Sequence, residues 1–187
     1  FTAPTWKTGR VSSPFLSGFP PFGHRTMTDI KTAIVWGADS GIGKAVVKQL
    51  VTDDWKVAAV SFQSESLAEF TPYSFTADTT NEMAVKCTVQ KANDQLGEIS
   101  LWIYAVAAIS ATTAQEMAQT HQQHLNKANL TGAYLTTHHS LPFLTQYAHL
   151  FYLVGNGLRL PKLSAYAQAK ANQQSCPEAK ARKAREK

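Results

Sequence analysis

The segment Thr32-Ala-Ile-Val-Trp-Gly-Ala-Asp-Ser-Gly-Ile-Gly-Lys44 constrains this chain more than any other. An apolar run of strand character, Lys31 to Trp36, empties into glycines at 37, 41 and 43 and resumes as the helix-forming stretch Lys44 to Leu50. A strand, a glycine turn and a helix in that order build a phosphate site. Glycines let the backbone approach an anion, and the helix start offers free N–H groups and a favourable dipole. The same spacing also serves purely structural turns, so its meaning depends on the rest of the chain.

Beyond Leu50 the chain alternates between strand and helix. Lys56 to Ser61 reads as a short buried strand after an Asp53-Asp54 turn, and a third short strand spans about Tyr73 to Thr76. Asp78-Thr-Thr-Asn81 supplies an N-cap type start for a helix from Glu82 to Leu96, ended by Gly97. Met83, Val85 or Cys87, Val89 and Ala92 are expected on its inner side. The fourth strand, Ile99 to Ala105, is almost wholly apolar, as a parallel strand covered on both faces should be. A helical region from Thr112-Thr113 to about Leu144 divides near Leu125. His149 to Val154 forms the fifth strand, and Ser164 caps a final helix. This alternation predicts an α/β fold, a doubly wound, Rossmann-like parallel sheet of order 3-2-1-4-5. Its ligand crevice falls between strands one and four, lined by Gly37 to Gly43 and Tyr104 to Ala108.

In the final helix, Ser164-Ala-Tyr-Ala-Gln-Ala-Lys170 places a tyrosine and a lysine four residues apart, on one helical face. An ammonium beside a phenol favours the phenolate and lowers its pKa, as an acid/base group working near neutrality requires. Taken alone, such a pair is more often an amphipathic surface feature. Together with the glycine turn, at this order and separation, it resembles the short-chain dehydrogenase/reductase family, from about Thr32 to the C-terminal helix. The glycine turn matches the family's T-G-x-x-x-G-I-G, with Trp36 where threonine is usual. Asn129-Leu-Thr-Gly132 matches its helical Asn-x-x-Gly. The resemblance implies Tyr166 as general acid, Lys170 lowering its pKa and holding a ribose, and Asn129 positioning a proton-relay water. It implies Gly37, Ser40, Gly41, Ile42 and Gly43 about a pyrophosphate, Ser61 by the ribose, and Asp78 at the adenine pocket. The expected chemistry is hydride transfer between NADP(H) and a small carbonyl or alcohol. NADP is preferred to NAD because Ser61-Phe-Gln-Ser64 has no acid at the end of the second strand. Lys44 is the one substitute for a phosphate-binding arginine. The resemblance also implies a homodimer or homotetramer through the helices around 113–144.

The sequence departs from the family in three places. The Asn-Asn-Ala-Gly motif after the fourth strand reads Tyr104-Ala-Val-Ala107, and Leu150-Phe-Tyr-Leu-Val-Gly-Asn-Gly157 lacks the serine expected before the tyrosine. Losing one oriented donor at a developing oxyanion costs on the order of a hundredfold in rate. The chain also stops seventeen residues after Lys170, before the last two strands of the family sheet. These departures keep open a second reading, a non-catalytic member that binds a dinucleotide or serves as a dimerising scaffold. Trp36 either fills the adenine side of the pocket or marks a pocket no longer selected for binding.

Composition narrows the rest. The net charge of +5 gathers at the ends: residues 1–28 carry Lys7, Arg10 and Arg25 without an acid, and the tail Lys180 to Lys187 adds five basic residues. A near-neutral body without a basic, aromatic-interleaved stripe argues against nucleic acid. The sequence has no apolar run of membrane-spanning length. Two cysteines and six histidines, none in ligand spacing, argue against metal and for a reducing compartment. Residues 1–26 read as a disordered or non-native leader before a Rossmann domain spanning 27–187. Location is expected to be cytoplasmic, or organellar if the leader is a transit segment.

Overall fold

The computed structural model describes residues 31–39, 41–63, 67–108, 123 and 125–154. Five strands form one sheet in the order β3-β2-β1-β4-β5, every pair parallel. They are β1 (Thr32–Trp36), β2 (Lys56–Ser61), β3 (Ser74–Thr76), β4 (Ile99–Tyr104) and β5 (Leu144–Tyr152). All of β1 is buried, and β2 beyond Lys56 is buried as well. That burial is why both read as continuous apolar runs without alternation.

Alternate residues of these strands feed two cores. Ala33, Val35, Val57, Ala59 and Ile103 face α1 (Gly41–Thr52), where Val47 is buried among them. Ile34, Trp36, Ala58, Val60, Trp102 and Tyr104 face the other way. They meet α2 (Glu82–Leu96) and α3 (Gly132–Ser140). Asn81 caps α2, its side chain accepting from the Ala84 N–H at 3.1 Å, and Gly97 closes it at φ 81°. The Asp53-Asp54 turn takes the form expected, with Asp54 in the left-handed region at φ 63°.

The sheet order and the strand–helix alternation are as the sequence predicts, and two local expectations are corrected. The inner face of α2 is Val85, Thr88, Val89, Ala92 and Leu96, while Met83 and Cys87 are exposed. Thr88, one turn from Val85, is buried although polar, so apolar character alone misassigned the face. The fifth strand starts at Leu144 rather than His149. Ile99 pairs with Leu144 and Leu101 with His149, so the intervening residues of β5 bulge out of register. That irregular entry, just after a short 3₁₀ turn at Leu141–Phe143, carries no period-2 pattern to read. The helical region before it contains a π-helical turn at Lys127–Thr131.

An aromatic layer joins β4 and β5 to α3. Trp102 stacks on Tyr104 with centroids 6.0 Å apart and meets Tyr152 at 5.0 Å. The Trp102 indole N–H donates to Ser140 Oγ at 3.1 Å, Ser140 Oγ donates to the Thr136 carbonyl, and Tyr152 and Thr137 share a 2.6 Å hydroxyl bond. Ser140→Ala strands the indole N–H in an apolar interior, at a cost of about 1–3 kcal/mol. Urea unfolding followed by tryptophan fluorescence is expected to show that loss as a lower midpoint with an unchanged slope.

Candidate functional site

The site grows from the place where β1 stops. Gly37 leaves the strand at φ 80°, and a Cβ there would lie 2.8 Å from the Val106 nitrogen and 2.9 Å from the Ala105 carbonyl carbon. A Cβ on Gly43 would land on the Gly37 carbonyl. The turn is thus pressed between the end of β4 and the first turn of α1, with backbone on backbone. Gly41 opens α1 at φ 50°, and a Cβ there would meet nothing within 4 Å. The first turn of α1 holds no acid, so its amide dipole is unopposed from within the helix. Tight backing beneath and open space in front make a cradle that a diphosphate fits.

The turn also leans on β2: the N–H groups of Gly37 and Ala38 both donate to the Val60 carbonyl, at 2.8 and 3.0 Å. The cleft that results has a volume of about 430 Å³. Its walls are Gly37 and Asp39 of the turn, Val60 to Phe62 ending β2, Ala77 to Thr80 after β3, and Ala105 to Ala108 with Ala128. It therefore opens at the carboxyl ends of the strands, at the β1/β4 switch point.

Of the predicted residues, Gly37, Ser61 and Asp78 line this cleft. Gly41, Ile42 and Gly43 stand beside it at the start of α1, Ile42 largely exposed. Ser40, Tyr166 and Lys170 lie outside the described residues. The Ser61 hydroxyl donates to the Gln63 carbonyl at 2.7 Å and so shapes the bend after β2. Asp78 is not the helix cap. Its Oδ1 accepts from both the N–H and the hydroxyl of Thr80 at 2.8 Å, an Asx turn that fixes the carboxylate on the cleft wall.

Asn129 sits fully buried in the π turn. Its Oδ1 accepts from the Ala108 N–H at 3.2 Å while its Nδ2 donates to the Ala108 carbonyl at 2.9 Å. The side-chain amide thereby holds the loop after β4 as another backbone would. Tyr104, first residue of the eroded motif, reaches the same turn: its hydroxyl donates to the Ala128 carbonyl at 2.7 Å. Burial pushes this phenol well above its ordinary pKa, with Asp78 and Tyr152 adding to the rise against a Thr79 hydrogen bond. It stays a neutral donor. Gly132 is required below it, since a Cβ would lie 2.6 Å from the Tyr104 oxygen and 2.7 Å from Thr79 Oγ1.

Sequence reasoning missed Asp39, Phe62, Thr79, Thr80 and the Tyr104–Ala128 clasp. Asp39 was legible as the one charged residue within the glycine turn. Lys44, the candidate substitute for a 2′-phosphate-binding arginine, lies 5.0 Å from the Phe70 ring centroid. Trp36 does not enter the cleft: its indole is buried on the α2 side, its N–H without a partner among the described residues. Among those residues no group of three or more potential metal ligands occurs, and no helix is long and apolar enough to cross a membrane.

Residues 31–183 match the family described as short chain dehydrogenase. A serine 3-dehydrogenase of Agrobacterium fabrum is 27% identical over 143 residues, covering 67% of this chain and 57% of that protein. The short-chain dehydrogenase/reductase family 9C member 7 of Bos taurus is 29% identical over 129 residues, covering 64% of this chain and 41% of that one. The chain thus spans about half the length of these relatives. A Brucella melitensis short-chain dehydrogenase/reductase structure, a glucose/ribitol dehydrogenase by name, superposes with a TM-score of 0.78 at 20% identity, covering 82% of this chain and 70% of that. A Serratia marcescens short-chain dehydrogenase/reductase gives 0.76 at 19% identity, over 82% of this chain and 68% of that. At these identities the structures establish the fold.

Gly132→Ala is expected to overpack this corner and lower stability by about 1–3 kcal/mol. Tyr104→Phe withdraws the colliding oxygen, so the double variant should be more stable than the sum of the single losses predicts. A chemical-denaturation double-mutant cycle reads that coupling directly.

Proposed function

The chain belongs to the short-chain dehydrogenase family, and we propose that it is an oxidoreductase acting on a small carbonyl or alcohol substrate with a nicotinamide dinucleotide. The observation that carries this reading is the cleft at the β1/β4 switch point, floored by a glycine turn with space before Gly41 and none behind Gly37. When bound, the dinucleotide supplies or accepts a hydride. The chain's own part is protic. Tyr166 gives its phenolic proton to the carbonyl oxygen, Lys170 four residues on favours the resulting phenolate, and Asn129 holds the loop that borders the reacting end. The turn amides from Gly37 to Gly43, including Ser40, receive the pyrophosphate, and Asp78, with Oδ1 engaged by Thr80, turns toward the adenine. The acid-free end of β2 at Ser61 is the one feature behind the NADP expectation, and by itself it does not decide between the two dinucleotides. The relatives' dehydrogenase names support the reaction class. A homodimer or homotetramer through the helices around 113–144 belongs to the same reading.

One observation favours the alternative of a dinucleotide-binding member without turnover. Leu153, whose N–H donates to the Tyr104 carbonyl at 2.9 Å, and Val154 occupy the stretch where the serine is expected, and neither carries a hydroxyl. Kinetics separate the two. Tyr166→Phe is expected to reduce NADH- or NADPH-dependent reduction of a carbonyl panel by about 10²–10⁴-fold while leaving dinucleotide binding within a few fold. If the unsubstituted protein binds the dinucleotide but oxidises it with no carbonyl of the panel, the scaffold reading replaces this one.

A further inference from the structure

Within the proposed dinucleotide site, we infer that Asp39 is the specificity-determining residue for the adenosine ribose, and that the cleft takes NAD and rejects NADP. In dinucleotide-binding sheets an acid at the end of the second strand accepts from the ribose diol. Here that position is Ser61, whose hydroxyl is directed to the Gln63 carbonyl. The acid has a different origin. Because Gly37 and Ala38 both donate to the Val60 carbonyl, the glycine turn lies against the last residues of β2, and the next residue, Asp39, shares the cleft wall with Ser61 and Phe62. No side chain among the described residues bonds or pairs with its carboxylate. Asp39 therefore offers the ribose hydroxyls the acceptor that β2 lacks.

Charge decides between the two dinucleotides. Both ionisable residues on the cleft wall are acids, Asp39 and Asp78, and no lysine or arginine lines it among the described residues. The cation that could have neutralised a 2′-phosphate, Lys44, is turned onto the Phe70 ring together with Lys48 at 4.5 Å. A 2′-phosphate placed by Ser61 would meet carboxylate without counter-charge, in a partly enclosed cleft where such repulsion is weakly screened.

Fluorescence titration of the full chain with NADH and NADPH, and with AMP and 2′,5′-ADP as probes of the adenosine side alone, tests this. The unsubstituted protein is expected to bind NADH at least about tenfold more tightly than NADPH, and AMP more tightly than 2′,5′-ADP. Asp39→Asn and Asp39→Ser, each checked by circular dichroism, should bring those ratios toward one mainly by strengthening the 2′-phosphorylated ligand. Equal or tighter binding of NADPH by the unsubstituted protein overturns the inference and leaves the dinucleotide reading standing. So does a ratio that neither substitution moves. Binding of no nucleotide at all overturns the dinucleotide reading itself, and this inference with it.

Discussion

The contact that the rest of the structure depends on is backbone against backbone: Gly37 pressed on the Ala105–Val106 peptide, with Gly43 stacked behind it. It brings the end of β1, the end of β4 and the start of α1 to one point. A side chain at either glycine would push α1 away from the sheet, and the apolar face centred on Val47 would lose its seat among Val35, Ala59 and Ile103. The pair of bonds to the Val60 carbonyl ties the same turn to β2. One close approach thus seats a helix, closes one core and floors the cleft.

Two bulky residues stand beside that point and leave it open, for a reason of strand geometry. Side chains alternate across a sheet, so Trp36, one residue before Gly37, points with Ile34 to the α2 side, away from α1. The cleft gains no indole. The exchange has a cost, since the buried indole N–H has no acceptor among the described residues, a penalty on the order of 1–3 kcal/mol against the large apolar area the ring buries. Tyr104 lies on the same face and finds an acceptor in the Ala128 carbonyl, which the π turn supplies. The polar atom of one bulky residue is satisfied and that of its strand neighbour is not.

Much of this was legible in the sequence because it follows from period and backbone chemistry. The sheet order, the glycine turn, the Asn81-to-Gly97 limits of α2 and the facing of Gly37 and Ala105–Ala108 all depend on such local rules, while Tyr104, expected beside them, turns into the α2-side core. What escaped them depends on tertiary fit. The entry to β5 is irregular because four residues stand between Leu144 and His149 where Ser100 alone separates their partners Ile99 and Leu101 on β4, and no alternation survives such a bulge. Thr88 is an inner residue of α2 despite its hydroxyl, which an apolar pattern does not reveal. Asp39 was visible as a charge in a glycine turn. Its neighbourhood with Ser61 needed the Val60 bonds that fold the turn over β2.

The division between backbone and side-chain work explains why this site holds its shape amid substitution. The cradle at Gly37 to Gly43 and the wall at Ala105 to Ala108 are built of amides and carbonyls, so Trp36, Tyr104, Val106 and Ala107 can replace the family's residues without displacing them. Even Asn129 acts through an amide that pairs with Ala108 as a peptide would. Binding by such a surface tolerates drift in side chains as long as glycine remains where space is nil. Proton transfer has no such tolerance, because it needs a given phenol, ammonium or hydroxyl at a given place, and Leu153 and Val154 after β5 carry no hydroxyl. A surface built of backbone constrains few side chains beyond its glycines, whereas acid/base chemistry rests on the few side chains standing in front of it.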